Sequence, residues 1–152
     1  MGTTRVTQHV KAPREAVYRA LLDEGSVTQW RVPDGMVGEV HAFEPRVGGR
    51  VHISLTYEDP MRTGKTVAQT DTYRGRFVEL VPNERVVEVV EFETEDAAMG
   101  GAMKITITLS DADGGTEVEA VHEGVPAGVR EEDNEAGWRG GLEKLAALVE
   151  RR

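Results

Sequence analysis

The sequence predicts an α+β domain in which a curved antiparallel sheet wraps around one long C-terminal helix. Between residues 38 and 123, six segments with a period of two follow one another, and short breaks rich in Gly, Pro, Asn and Asp separate them. Residues 133–152 instead repeat apolar side chains at the spacing of one helical face. Because short breaks favour antiparallel neighbours, the strands form one sheet against which the helix buries its apolar face.

Length and composition indicate one cytoplasmic domain. The 152 residues suit a single domain over 1–152, large enough to bury about 70% of the surface that the unfolded chain exposes. The net charge of −9 comes from acidic residues spread along the chain, so nucleic acid is not an expected partner. Without cysteine the chain has no disulfide, thiolate nucleophile or zinc–thiolate site. With no apolar signal region and no long apolar run, we expect no membrane insertion.

The N-terminal part predicts one strand and two helices. Residues 5–10 form the strand, and Pro13 suits the first turn of the next helix, where its missing N–H is not needed. We expect Gly25 to end this helix and Ser26 to cap a short second helix that finishes at Trp30. The buried face of the first helix consists of Ala16, Val17, Ala20 and Leu21.

The six strands that follow are half-buried, with one exception. Their predicted ranges are 38–43, 50–58, 70–81, 85–94, 102–109 and 116–123. Alternation in the last of them places His122 on the inward face with Thr116, Val118 and Ala120. The fourth strand is apolar on both faces, so the pattern leaves its orientation open.

The terminal helix carries a feature that points to empty space. Its apolar stripe consists of Trp138, Leu142, Leu145 and Val149, with Gly141 and Leu148 beside it. Gly137, Gly140 and Gly141 each cost about 1 kcal/mol in a helix interior, so packing must hold the helix. Missing side chains mean either close backbone approach or unfilled volume, and we expect a pocket beneath the helix.

Four stretches, in order, resemble one family. They are residues 12–21 with the following Trp30, residues 44–50, residues 75–87, and residues 122–124 with the later Gly137-Trp138 pair. Together they are similar to the START-like or SRPBCC superfamily, in particular its branch named for the homologue of the heat-shock-protein-90 ATPase activator. The resemblance covers nearly the whole chain. It implies a helix-grip (START-like) fold of order β-α-α-β6-α, with a cavity between the sheet and the C-terminal helix.

The sequence departs from the pattern of that family at two places. Glu88, Val89 and Val90 stand where an aromatic residue often occurs, and Asn83 replaces a second proline. If Glu88 faces inward, the first difference changes the chemistry of the cavity. The superfamily includes lipid carriers, hormone receptors, polyketide cyclases, aromatases and cochaperone domains on one scaffold, so the fold alone does not fix the function.

Several side chains are candidates for the cavity wall. Aromatic, methionine and histidine side chains can line a small-molecule pocket, and core packing is the alternative for each. His122, near the mouth, can bond a ligand or act as a base, or it can be a structural histidine. Glu79 and Glu91 are candidate inward carboxylates, or they pair with Arg74, Arg76 or Arg85. The predicted ligand-binding residues are Trp30, Tyr57, Tyr73, Phe77, Met103, His122 and Trp138, and Met36, Met61 and Met99 are further candidates for the lining or rim.

Other kinds of site find no support in the sequence, and we expect neither a metal nor a cofactor. The four histidines lack a ligand spacing, and residues 111–114 lack the later acidic positions of a calcium loop. No serine lies in a nucleophile elbow, and no phosphate-binding glycine pattern precedes a helix.

Three functions remain open at this point. The leading hypothesis is a non-enzymatic protein, monomer or homodimer, that binds an apolar or amphipathic small molecule in the cavity. The second is a polyketide cyclase or aromatase-like enzyme in which His122 or an inward Glu acts as acid or base. The third, implied by the family resemblance alone, is a cochaperone-type domain whose partner is a heat-shock ATPase.

Overall fold

The computed structural model describes residues 2–33, 35–58 and 70–151. Within those ranges the chain has the predicted order of one strand, two helices, six strands and a terminal helix. The elements are β1 Gly2–Val10, α1 Arg14–Leu21, α2 Glu24–Trp30, β2 Met36–Phe43, β3 Arg50–Tyr57, β4 Thr70–Val81, β5 Arg85–Phe92, β6 Met103–Ala112, β7 Gly115–Val125 and α3 Glu131–Glu150.

The described strands form one curved antiparallel sheet that does not close into a barrel. Its order is β1-β7-β6-β5-β4-β3-β2, so the first strand pairs with the last one, and β1 and β2 form the two edges. The helices α1 and α2 make the connection between these edges. This topology is the helix-grip arrangement, and it leaves one face of the sheet turned towards α3.

Tight turns keep neighbouring strands in register. Asp113 and Gly114, between β6 and β7, both have positive φ angles, of 44° and 76°, as a two-residue hairpin of the Asp-Gly type requires. Asn83, between β4 and β5, has a φ of 64°, which asparagine tolerates better than most residues. Both turns lie where the sequence predicts them.

The caps of the first two helices differ from the prediction. Pro13 is the N-cap of α1 and precedes its first turn. The prediction for Gly25 and Ser26 was wrong, because α1 ends at Leu21 and both residues lie within α2. Asp23 caps α2 instead, accepting hydrogen bonds at 3.0 Å from the Ser26 N–H and at 2.8 Å from its hydroxyl, which satisfies one of the free amides of the first turn.

The register settles the orientation of β5. Glu88 lies opposite Phe77 on β4 and opposite Ile105 on β6, and both of those side chains are buried. Ile105 in turn lies opposite His122 on β7. Glu88 therefore belongs to a row of inward side chains that crosses the sheet, and it is itself 1% exposed.

The terminal helix is packed most tightly along its second half. All its fully buried residues lie between Gly141 and Val149. Leu142, Leu145, Ala146 and Val149 join side chains of β1, α1 and α2 in the main hydrophobic cluster, which confirms the predicted stripe. Trp138, one turn earlier, is only partly buried and packs against the edge of this cluster.

Candidate functional site

A cavity of about 630 Å³, partly open to solvent, lies beneath the first half of α3. The sheet from β2 to β6 forms its floor, and the end of α2 and the segment before α3 form its sides. Its lining is mostly apolar and aromatic, with a few charged groups. The lining residues are Trp30, Arg31, Pro33, Met36, Leu55, Tyr57, Asp71, Tyr73, Val90, Glu91, Phe92, Met103, Ile105, Gly128, Val129, Arg130, Asp133, Asn134, Gly137, Trp138 and Gly141.

Glycines help to shape this cavity. A methyl group added at Gly137 would meet no atom within 4 Å, so the absence of a side chain leaves open space where α3 borders the cavity. Gly141 has the opposite role, because a methyl group there would lie 2.9 Å from the carbonyl oxygen of Trp30. Gly141 therefore allows close approach of α3 to α2, while Gly137 contributes to the pocket that the sequence predicts.

The guanidinium of Arg31 is enclosed by three aromatic rings that also line the cavity. Its central carbon lies 5.7 Å from the ring centre of Trp30, 5.3 Å from that of Tyr73 and 5.5 Å from that of Trp138. Such distances are within the range of cation–π contacts. The two indoles also meet edge to face at 5.7 Å. The arginine thus ties the end of α2 to β4 and α3 at one corner of the cavity.

Glu88 neutralises this buried cation. Nη1 of Arg31 donates to Oε2 of Glu88 at 3.1 Å, and Nη2 lies 2.8 Å from Oε1. The side chains are only 7% and 2% exposed, so each charge depends on the other for compensation. Burial opposes the charge of Arg31, but the adjacent carboxylate outweighs burial and raises the pKa of Arg31 above its ordinary value.

Tyr73 remains a neutral phenol within this cluster. Burial raises the pKa of Tyr73, and the negative charge of Glu88 adds to that effect while Arg31 opposes it. Because the ordinary pKa of tyrosine is already near 10, the hydroxyl keeps its proton at neutral pH. It offers a hydrogen-bonding group in the cavity wall and no charge.

His122 faces inward as predicted but does not line the cavity. It is 1% exposed and lies behind Trp138, with the two ring centres 4.4 Å apart and the planes nearly perpendicular. Burial, followed by the charge of Arg31, lowers the pKa of His122 to about 4, so the ring is neutral at pH 7. It therefore does not stand at the mouth of the cavity.

The histidine holds the start of α3 in place. The amide nitrogen of Asn134 lies 2.8 Å from Nδ1 of His122 and donates at 2.8 Å to the hydroxyl of Thr4. An amide N–H can only donate, so Nδ1 accepts and the neutral ring carries its proton on Nε2. Among the residues that the structure describes, Nε2 of His122 and Nε1 of Trp30 have no hydrogen-bond partner. The two hydrogen bonds of the Asn134 amide link α3 to β1 and β7.

The cavity brings together most of the predicted ligand-binding residues. Those that line it are Trp30, Tyr57, Tyr73, Met103 and Trp138, with Met36 from the wider set of candidates. Phe77 and His122 are buried elsewhere: Phe77 packs edge to face on Phe43 at 5.6 Å. Met99 is not in the lining, and Met61 lies outside the described residues. Contact of these side chains with a ligand stays a prediction.

Neither candidate carboxylate lies on the inward strand face, although Glu91 is among the residues that line the cavity. Glu79 is half exposed and pairs with Arg85 at 2.6 Å, and Glu91 lies 3.8 Å from Arg74 on the strand face opposite to Tyr73 and Phe92. Glu79 faces outward because a β-bulge lies between Phe77 and Glu79. One extra residue in a strand reverses the face on which the following side chains lie. The inward acid of this sheet is Glu88.

Sequence reasoning missed the role of Arg31, and a weak signal existed for it. The buried ion pair joins an arginine directly after a buried tryptophan to Glu88, a glutamate with two valines on each side in the apolar strand 85–92. In the described part of the chain, no group of three or more His, Cys, Asp or Glu side chains is arranged to hold a metal ion. None of the helices described here has the length and apolar character that crossing a bilayer requires.

Comparisons with known proteins agree with this architecture. The family model described as "Activator of Hsp90 ATPase homolog 1-like protein" matches residues 11–150. The crystal structure of protein CV1439 from Chromobacterium violaceum superposes with a TM-score of 0.86 at 36% identity, covering 97% of this chain and 96% of that one. The search of curated proteins gave no match.

More distant structures share the fold alone. Protein MLL2253 from Mesorhizobium loti has a TM-score of 0.74 at 22% identity over 99% of this chain and 98% of its own. An AHSA1-like protein from Aeromonas hydrophila has a TM-score of 0.73 at 17% identity, over 99% and 93% of the two chains. The family match and the relative at 36% identity together show that the chain belongs to the Activator of Hsp90 ATPase homolog 1-like family.

Proposed function

We propose that this protein binds a small, largely apolar molecule in the cavity beneath the first half of α3. The observation that supports the proposal is a space of about 630 Å³ with mostly aromatic and aliphatic walls and a few fixed polar groups, which is the usual character and size of a small-molecule site. Trp30, Tyr73 and Trp138 supply aromatic surface, while Tyr57 and Met103 extend the lining along the sheet.

The geometry favours binding over acid–base catalysis. His122, the histidine that a cyclase-like mechanism would use, is shielded from the cavity by Trp138 and has a pKa lowered to about 4. A general base works best with a pKa near the operating pH and within hydrogen-bond reach of its substrate. Glu88 is committed to Arg31. Neither side chain is poised to move a proton to or from a molecule in the cavity.

The experiment compares two glycines of α3 that both have open space where a side chain would begin. Added side chains at Gly137 and Gly140 both start in open space, but only Gly137 borders the cavity. We expect Gly137→Leu to occupy the cavity and weaken binding of the fluorescent probe phenylnaphthylamine by at least tenfold. Gly140→Leu should bind the probe as the parent does. Equal binding by both variants, or no binding by the parent, would contradict the proposal.

The description of the family favours a second candidate, stimulation of a heat-shock ATPase. Its support is the family match, and the measurement is ATP turnover of the chaperone with and without the chain. Gly137→Leu separates the two candidates, since filling the cavity should abolish ligand binding and leave a surface interaction with a chaperone intact.

A further inference from the structure

The electrostatics of the cavity wall point to one class of ligand. The basic side chain nearest its aromatic corner is Arg31, and both of its terminal nitrogens contact Glu88. Its surroundings otherwise consist of the rings of Trp30, Tyr73 and Trp138. A ligand anion would have to displace a carboxylate that is already buried and aligned, so it would gain no new partner for its own lost hydration.

The other charges around the cavity point the same way. Asp71, 2% exposed, and Asp133, at the start of α3, both line it. The second lining arginine, Arg130, is engaged by Glu132 through hydrogen bonds at 2.8 and 3.2 Å. Among the residues that the structure describes, an anion entering the cavity therefore meets the Asp133 carboxylate, and both lining arginines are paired with a glutamate, Arg31 in a buried pair and Arg130 in an exposed one.

We propose that the cavity selects uncharged apolar molecules and excludes anionic ones such as fatty-acid carboxylates, because Glu88 masks Arg31. This inference rests on the proposed function, since it specifies the ligand class of the same site. The carboxylate of Glu88 occupies the hydrogen-bonding positions around Arg31 that the carboxylate or sulfonate of a ligand would otherwise take.

Two matched probes test the selection. Phenylnaphthylamine and anilinonaphthalene sulfonate share the same rings and differ by one sulfonate, so the ratio of their dissociation constants isolates the charge. We expect the parent protein to bind the sulfonate at least threefold more weakly, by fluorescence titration. A smaller ratio, or tighter binding of the sulfonate, overturns the inference while leaving the proposed function standing. Failure of both probes to bind overturns the two together.

Glu88→Gln tests the mechanism of that selection. The amide keeps the shape of the acid and leaves the Arg31 charge unmatched, so we expect sulfonate affinity to rise at least tenfold relative to the neutral probe. The double variant Arg31→Met/Glu88→Leu removes both charges and should keep the preference for the neutral probe. A folded Glu88→Gln protein with an unchanged ratio overturns the masking role.

A pair of milder substitutions tests the inference if the Glu88→Gln protein does not fold. Asp133→Asn removes an exposed carboxylate at the cavity, and Glu143→Gln makes the same charge change on the same helix away from it. We expect the first to raise relative sulfonate affinity about twofold and the second to leave the ratio unchanged. An equal change in both variants would indicate a general effect of net charge and overturn the inference.

Discussion

The two halves of α3 meet the rest of the molecule in different ways. From Gly141 to Val149 the helix buries six residues against β1, α1 and α2. From Glu131 to Gly140 it has no fully buried residue, and its inner side stands over the cavity. One continuous helix thus packs against a filled core with its second half and covers the cavity with its first half.

The difference shows how the first half of α3 is held over the cavity without close packing. Trp138 is fixed by ring contacts to Trp30 and His122 and by the Arg31 guanidinium, and Asn134 is tied by hydrogen bonds to His122 and Thr4. These are discrete, directional contacts. In the solid half, many small dispersion contacts among aliphatic side chains do the same work without polar groups.

The largest expected loss of stability comes from truncating one of two isoleucines of β6. Ile105 and Ile107 are both 2% exposed and face the same side of the sheet, but only Ile105 lines the cavity. Ile107→Ala should lower the free energy of unfolding by about 2–5 kcal/mol, because it opens a void in a filled core. Ile105→Ala should cost at least about 1 kcal/mol less, since part of that side chain already borders space. Urea unfolding measures both, and equal losses would show that the two halves are packed alike.

The second contrast uses pH to weaken the contacts that hold the first half of α3 over the cavity. His122 has a folded-state pKa of about 4 against an ordinary value of 6.5, so folding favours the neutral ring. Its contribution is fully present above pH 6.5 and is lost as the pH falls towards 4, by an amount on the order of 3 kcal/mol. The free energy of unfolding should therefore fall more steeply in the parent than in His122→Gln across this interval.

The control for that measurement is His9, an exposed histidine of β1. His9→Gln makes the same substitution at an exposed site, and the free energy of unfolding should then vary with pH as it does in the parent. Matching curves for the parent and His122→Gln would mean that His122 is not held neutral by burial, and the link between this ring and the start of α3 would lose its support.

The element order and most strand faces could be predicted because they follow from local periodicity. Alternation placed His122 inward, and the terminal stripe identified the buried side of α3. The same rule failed at Glu79, because the bulge after Phe77 adds a residue that no sequence pattern marks. Sequence alternation thus predicts the face on which a strand side chain lies only until a bulge shifts the strand register.

The centre of the candidate site could not be predicted in the same way. Arg31 and Glu88 are 57 positions apart in the sequence and meet only in the folded chain. The strand that carries Glu88 is apolar on both faces, so its orientation depends on pairing with β4 and β6. The glycines of α3 predicted unfilled volume, and both Gly137 and Gly141 border it, but only the packed structure shows that Gly137 has room for a side chain and Gly141 has none.

The smallest expected effects come from those glycines, and their signs differ. On helix propensity alone, alanine at any of the three positions should stabilise the protein by up to about 1 kcal/mol. Gly137→Ala and Gly140→Ala should do so, since both methyl groups enter open space. Gly141→Ala should instead destabilise by about 1–3 kcal/mol, because the methyl group would lie 2.9 Å from a backbone oxygen of Trp30 that cannot move aside cheaply. Thermal and urea unfolding of the three variants distinguish these outcomes. A gain at Gly141 would mean that α3 and α2 are less closely apposed, and the closely packed half of the helix would then begin after Gly141, at Leu142 or beyond.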